Sequence, residues 1–187
     1  NSSESNKRSE RSAEQFRAAQ ERESYCILGK ISRRYNDSVR LAGCQQIVIM
    51  RYLIDTNIFI RLNADRQLLS GDVMYIIEDC CNLLYISSES VKEMIHLFQT
   101  GKVIVKKWKT AQDIVDSIEK EWNMAIKYVQ REHLITFSGL DRVENHNDPS
   151  DRLIIAQAIC EKIPLISSDG KFHHYRKQNL QFVFNKK

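Results

Sequence analysis

The sequence predicts an α/β fold in which a mostly parallel sheet of about five strands is covered by helices on both sides. Two observations carry that reading. From Met50 onward, apolar runs of strand length alternate with stretches of helical character. Apolar residues make up 42% of the chain, enough for a real core.

The elements follow in order. Arg51-Tyr52-Leu53-Ile54 is a short apolar strand that ends at Asp55, and residues 67–79 have helical character. Leu83-Leu84-Tyr85-Ile86 is a second strand. A helix begins near Ser87, with Val91, Met94, Ile95 and Phe98 on one face. Residues 110–131 read as a long amphipathic helix, and Leu134-Ile135-Thr136-Phe137 as the third strand. The stretch "NHNDPSDRLIIAQA" (145–158) then starts a helix: Asp148 is a good N-cap, Pro149 suits the first helical position, and Asp151 falls at the third. Pro164-Leu165-Ile166-Ser167 and Gln181-Phe182-Val183-Phe184 complete the set as fourth and fifth strands.

At 187 residues the chain holds one domain of ordinary size plus an extension, or two very small ones. Residues 1–49 are polar and charged, partly helical or disordered, with one capped helix expected near Ser12 from the Ser12/Gln15 spacing. Met50 reads as a natural beginning because the ordered pattern starts there, so residues 50–187 form the expected domain. Net charge is +4, unevenly spread: residues 1–49 hold nine Lys+Arg against six Asp+Glu, and the remainder nineteen against eighteen. The body is nearly neutral, which argues against a broad basic face for nucleic acid; any polyanion must be gripped locally.

No apolar segment approaches the ~20 residues of a membrane span, and the N-terminus lacks a signal-peptide block. A soluble cytoplasmic protein is expected. The five cysteines (Cys26, Cys44, Cys80, Cys81 and Cys160) include a vicinal pair but no Cys-x-x-Cys. They read as buried or inert thiols rather than a disulfide framework or zinc site. His173-His174 reads as loop or surface. No Walker A loop, Gly-x-Gly-x-x-Gly or Gly-x-Ser-x-Gly appears, and Asp55-Thr56-Asn57 lacks the second Asp of a haloacid-dehalogenase-type motif.

In a parallel open sheet, ligands bind beyond the C-terminal strand ends. Asp55 sits at such an end, Asp169 follows the fourth strand, and Glu93 lies on the first turns of the helix after "LLYIS", away from its apolar face. Asp148 and Asp151 open the helix leading to the fourth strand. Each has a plain structural explanation as a cap, turn or solvated residue. Together they put acidic groups from separate segments at one edge. Such a cluster needs a compensating cation, and hard oxygen ligands select Mg²⁺ or Mn²⁺. A site of that kind can bind phosphate, activate water and stabilise a leaving oxygen.

Four ordered blocks carry a resemblance: "MRYLIDTNIFI" (50–60), "YISSESVKEMIHLFQTGKV" (85–103), "HNDPSDRLIIAQA" (146–158) and "PLISSDGKFHHY" (164–175). With the Ser87-x-x-Ser90-x-x-Glu93 spacing, residues 50–187 resemble PIN-domain ribonucleases, above all the VapC-type toxins of VapBC toxin–antitoxin pairs. The resemblance implies a three-layer α/β/α domain that cleaves RNA with Mg²⁺ or Mn²⁺. Matched by position, the catalytic and metal-holding residues would be Asp55, Glu93, Asp151 and Asp169, supported by Thr56, Asn57, Ser167 and Asp148. It further implies an RNA substrate, a cognate antitoxin, a homodimer and no membrane. Ser150 departs from the aromatic residue that related toxins often carry there, and residues 1–49 have no counterpart. The alternative is a non-catalytic PIN module serving as a protein- or RNA-binding scaffold.

Basic residues offer weaker signals. Lys106, Lys107 and Lys109 surround Trp108, which suits phosphate pairing beside a stacking ring, or else a solvated helix start with Trp108 packed inward. Lys171 and Arg176 follow Asp169 closely enough to touch a substrate phosphate.

Overall fold

The computed structural model describes residues 49–143 and 146–187. Five strands, β1 (Arg51–Ile54), β2 (Leu83–Ser87), β3 (Ala125–Lys127), β4 (Leu165–Ser167) and β5 (Phe182–Phe184), form one sheet in the order β3-β2-β1-β4-β5. Every neighbouring pair is parallel. Helices α1 (Thr56–Ala64) and α2 (Gly71–Glu78) join β1 to β2; α3 (Ser88–Gln99) and α4 (Ala111–Asp116) lead to β3. Helices α5 (Arg131–Gly139) and α6 (Pro149–Glu161) lead to β4, and a 3₁₀ helix, Gly170–Gln178, leads to β5. The expected α/β architecture is present.

Two rows of side chains cross the sheet in register. Tyr85, Leu53, Leu165 and Phe182 form one; Ile86, Ile54, Ile166 and Val183 form the next. Successive residues of a strand point to opposite faces. The second row packs into the core with Ile58, Phe59, Val73, Met94 and Ile114 from α1 to α4. The first row faces the other layer, where Phe182 meets Phe172 of the 3₁₀ helix with ring centroids 5.8 Å apart. Right-handed crossovers account for this division. The chain steps outward from β1 through β2 to β3, then returns past β1 to β4 and β5. Its order therefore reverses between β1 and β4, and that reversal opens a crevice at their C-terminal ends.

Strand expectations need one correction. The third strand is not Leu134–Phe137, which lies inside α5, but Ala125–Lys127, which the sequence reading had put inside a long helix over 110–131. That helix stops early: α4 gives way to a π turn over Ser117–Glu121, and Asn123, at φ 50, reverses the chain. A short apolar run does not tell strand from helix by periodicity. Here the helix is set by its start, where the Gln130 N–H donates to His133 Nδ1 over 2.9 Å. Leu134 and Ile135 remain 52% exposed, as no central strand would leave them.

Smaller expectations also resolve. The 67–79 helix is a 3₁₀ turn (Arg66–Leu68) followed by α2, capped by Ser70. Trp108 packs inward, 4% exposed and stacked on Phe59 at 6.3 Å, so it offers no ring to a nucleic-acid base. Cys80, Cys81 and Cys160 form no disulfide, Cys80 being exposed and the other two half-buried. His173 and His174 lie on the surface of the 3₁₀ helix. The helix expected near Ser12, Cys26 and Cys44 fall outside the described residues. No helix among the described residues is long and apolar enough to cross a membrane.

The corrected assignment is testable by paired substitutions. Ile135→Lys, on the exposed face of α5, is expected to change stability by about 0.5 kcal/mol or less. Ile54→Ala, in the central strand, is expected to cost about 2–5 kcal/mol. Thermal melts of both variants check this, and a large loss from Ile135→Lys would restore the buried strand.

Candidate metal centre

Each carboxylate at the crevice is delivered by an element end. Asp55 directly follows β1 and caps α1, its Oδ1 accepting from the Thr56 N–H at 2.8 Å. Its Oδ2 accepts from the Ser167 hydroxyl at 2.6 Å and from Asn57 Nδ2 at 2.8 Å. The side chain is thus fixed from both strands that border the crevice. Thr56 donates its hydroxyl to Glu93 Oε2 at 2.7 Å, tying the second turn of α3 to the start of α1. Ser167 also accepts from the Asp169 N–H at 3.0 Å, and Asp169 caps the 3₁₀ helix by accepting from Lys171 N–H at 2.8 Å. Asn57 completes the frame, its Oδ1 accepting from Ser168 N–H at 3.2 Å.

At the start of α6 the two aspartates divide the work. Asp148 Oδ1 accepts from the Ser150 N–H at 2.9 Å and lies 3.5 Å from the Asp151 N–H, which is the capping role. The Asp151 side chain is left to meet the crevice. The structure brings Asp55, Glu93, Asp151 and Asp169 into mutual electrostatic contact. Ser90 is fully buried, its hydroxyl without a hydrogen-bond partner.

That contact is unfavourable without a counter-charge. Burial raises the Asp55 carboxyl to about 6, with Glu93 and Asp169 adding repulsion and bonds from Ser167 and Thr56 opposing it. Asp151 rises to about 8, through burial first and then through Asp55, Asp148, Glu93 and Asp169. The largest charges that weigh on Asp151 are carboxylates. A set of hard oxygen donors that repel one another fits a divalent Mg²⁺ or Mn²⁺, which neutralises them together.

Two polar residues that sequence reasoning did not single out also belong to this edge. His146 is 3% exposed, with Nε2 3.2 Å from Asp151 Oδ2 and Nδ1 2.9 Å from the Tyr175 hydroxyl. The first distance is short enough for an ion pair, but burial pushes His146 down as it pushes Asp151 up. It is therefore a hydrogen bond of a neutral ring. Ligand atoms of His146, Asp151 and Asp169 lie within 4.8 Å of one another. Asn185, 1% exposed, accepts from Ser70 N–H and donates to Ser168 Oγ, clamping the chain end to the loop after β4. A polar residue just past an apolar strand was the available signal for it, and a histidine two residues before a cap the signal for His146.

The basic candidates separate. Lys171 begins beside Asp169 and its charge acts on His146, so it borders the crevice. Arg176 donates to the Phe182 carbonyl at 2.9 Å and lies over the Phe182 ring, at the start of β5 and the other end of that strand from the carboxylates. Lys107 pairs with Glu121 and stands over Trp122, beside Arg66 past the end of α1, while Lys106 is exposed nearby.

The PIN domain family model matches residues 52–178. No curated protein matches the sequence. Among solved structures, VapBC2 from Rickettsia felis, bound to a DNA fragment from its promoter, includes a chain 20% identical, with TM-score 0.50 over 73% of this chain and 100% of that one. VapBC-1 from nontypeable Haemophilus influenzae matches at 19% identity and TM-score 0.49, over 72% and 98%. At such identities the likeness is one of fold.

The raised carboxyls set a pH dependence. An acid whose pKa is higher folded than unfolded binds more protons in the folded state between the two values, so stability falls as pH rises through that window. For Asp55 and Asp151 the window runs from about 4, the ordinary value, up to about 8. The melting temperature of chelator-treated protein is expected to fall between about pH 4 and about pH 8, and saturating Mn²⁺ to recover most of the loss at the alkaline end. A flat profile without metal would remove the repulsion argument.

Proposed function

The chain belongs to the PIN-domain family, and on that premise we propose that it is a metal-dependent endoribonuclease that hydrolyses RNA phosphodiester bonds. The observation that carries this reading is the convergence of Asp55, Glu93, Asp151 and Asp169 at the crevice, with two carboxyls driven upward by burial and by their acidic neighbours. We further propose that it is the toxin of a type II toxin–antitoxin pair, cytoplasmic, homodimeric and bound by a cognate antitoxin. Support for that comes from the four sequence blocks and from a fold shared with a chain of a VapBC complex. The nuclease domain is assigned to residues 50–187, and residues 1–49 to an extension.

Within this proposal Asp55, Glu93, Asp151 and Asp169 hold Mg²⁺ or Mn²⁺. When bound, such an ion draws a phosphodiester to the site, lowers the pKa of water and stabilises charge on the leaving oxygen. The chain supplies position. Ser167, Asn57 and the Thr56 N–H hold Asp55 in one orientation, leaving a lone pair on Oδ1. The Thr56 hydroxyl fixes Glu93, and Asp148 secures the helix start that carries Asp151. Lys171 is the basic side chain best situated for a substrate phosphate; Arg176, Lys106 and Lys107 would act only on RNA that extends well beyond the crevice.

Cleavage of RNA in Mg²⁺ or Mn²⁺, and none in excess EDTA, is the expected result. Undiminished cleavage in chelator would overturn the metal mechanism, and a folded protein that binds RNA without ever cleaving it would be the scaffold module instead. Asp151→Asn is expected to reduce cleavage to background while the domain stays folded. Asp148→Asn, an equally good cap, should keep most activity and change stability by about 0.5 kcal/mol or less. Rates and melting temperatures of the two variants, with and without Mg²⁺, decide between chemistry and capping. Normal cleavage by Asp151→Asn would reduce it to a helix residue.

Glu89 and Glu93 give a second matched pair. Glu89 accepts from the Ser150 hydroxyl at 2.7 Å and pairs with Lys92, whereas Glu93 is held by Thr56. Glu93→Gln is expected to abolish cleavage and Glu89→Gln to leave most of it. The reverse order in a cleavage assay would show that the acid on α3 has been misassigned.

A further inference from the structure

Behind Asp151 the fold buries a short chain of polar groups. His146 is held edge-on against Phe172 and Tyr175, ring centroids 5.5 and 5.4 Å away. Its Nδ1 meets the Tyr175 hydroxyl at 2.9 Å and its Nε2 meets Asp151 Oδ2 at 3.2 Å.

Donor arithmetic sets the direction of this chain. An ionised Asp151, as a ligand of a cation must be, only accepts, so Nε2 carries the hydrogen and Nδ1 takes the proton of the Tyr175 hydroxyl. An imidazole that accepts at Nδ1 carries its hydrogen on Nε2. That hydrogen faces Asp151 Oδ2. We propose that His146 is a positioning residue: held between the Tyr175 hydroxyl and Asp151, its ring keeps one tautomer and thereby fixes the orientation in which Asp151 meets a divalent cation. The inference rests on Asp151 being a metal ligand. The rival role is His146 itself as a nitrogen ligand, given its distance from Asp151 and Asp169. A ligand nitrogen must be bare, which would move the hydrogen to Nδ1. The Tyr175 oxygen would then face a donor, and its own proton would lose the acceptor it has now.

The test uses the full chain and Mn²⁺ alone, without RNA. Electron paramagnetic resonance titration gives Mn²⁺ affinity, and electron spin echo modulation reports nitrogen bound directly to the ion. The wild-type spectrum is expected to lack directly coordinated nitrogen. His146→Phe, which keeps the aromatic packing, is expected to lose Mn²⁺ affinity about tenfold or more, in the range typical of groups that orient ligands. His146→Gln, whose amide offers a donor near the position of Nε2, should recover most of that loss, and Tyr175→Phe should show a smaller one. Strong nitrogen coupling in the wild type overturns the proposal in favour of direct ligation. A Gln variant as weak as Phe, or full affinity in both His146→Phe and Tyr175→Phe, overturns it as well. If His146→Phe does not fold, the wild-type spectrum and Tyr175→Phe decide. A wild type that binds no Mn²⁺ overturns the ligand reading and this inference together; binding that ignores His146 and Tyr175 overturns the inference alone.

Discussion

Repulsion among carboxylates at the reversal of strand order is the constraint on which the arrangement of this domain turns. Four acids, from the starts of α1, α6 and the 3₁₀ helix and from α3, are held together where burial first, and their neighbours' charge after it, lifts Asp55 to about 6 and Asp151 to about 8. Left to themselves such groups separate into water. They stay together because each is anchored by backbone or by a neutral hydroxyl, amide or ring: Thr56 and Ser167 for Asp55, Thr56 for Glu93, the Lys171 N–H for Asp169 and His146 for Asp151. None of those anchors brings an opposing charge. The core rows of the sheet meet the energetic cost, since Ile54 and Ile166 are fully buried directly before Asp55 and Ser167. Stability and site are therefore opposed along the same two strands, and the divalent cation proposed for the site would reconcile them.

Helix α6 shows how one local motif serves both demands. Asp148 satisfies the free N–H groups, and Pro149 lacks the N–H that would otherwise remain unpaired. Asp151 then stands in the positive end of the helix dipole, which favours its charged form. Burial and four like charges outweigh that effect and push it upward. The balance explains why a carboxylate in a favourable capping position is nonetheless the most strained acid of the set. It also explains why neutral polar support from behind, through His146, bears on Asp151 more than on its neighbours.

The parallel α/β fold was legible because its signal is periodic and local. Apolar runs at β1, β2, β4 and β5 end in polar residues, and nothing else in the chain competes for those positions. The acids were legible for the same reason: a carboxylate just past an apolar strand stands out in a row of letters. Strand β3 was not. Ala125–Lys127 carries one large apolar residue in three, and it is a strand because Tyr85, Ile86 and Ser87 offer it an edge to pair with. The segment Leu134–Phe137 had the better strand composition, but the start of α5 took it into a helix.

The sequence by itself determined the fold class, the strands that lead to the crevice and the acids that face it, because hydrophobic period and capping chemistry act within a few residues. Tertiary structure decided what those acids experience. Asp55 and Ser167 lie 112 residues apart yet share a hydrogen bond of 2.6 Å, and His146 meets Tyr175 across 29. A raised carboxyl, a fixed imidazole tautomer and an inward-packed Trp108 all depend on distances between segments. Those distances are set only when the two faces of the sheet are covered and water is excluded from between them.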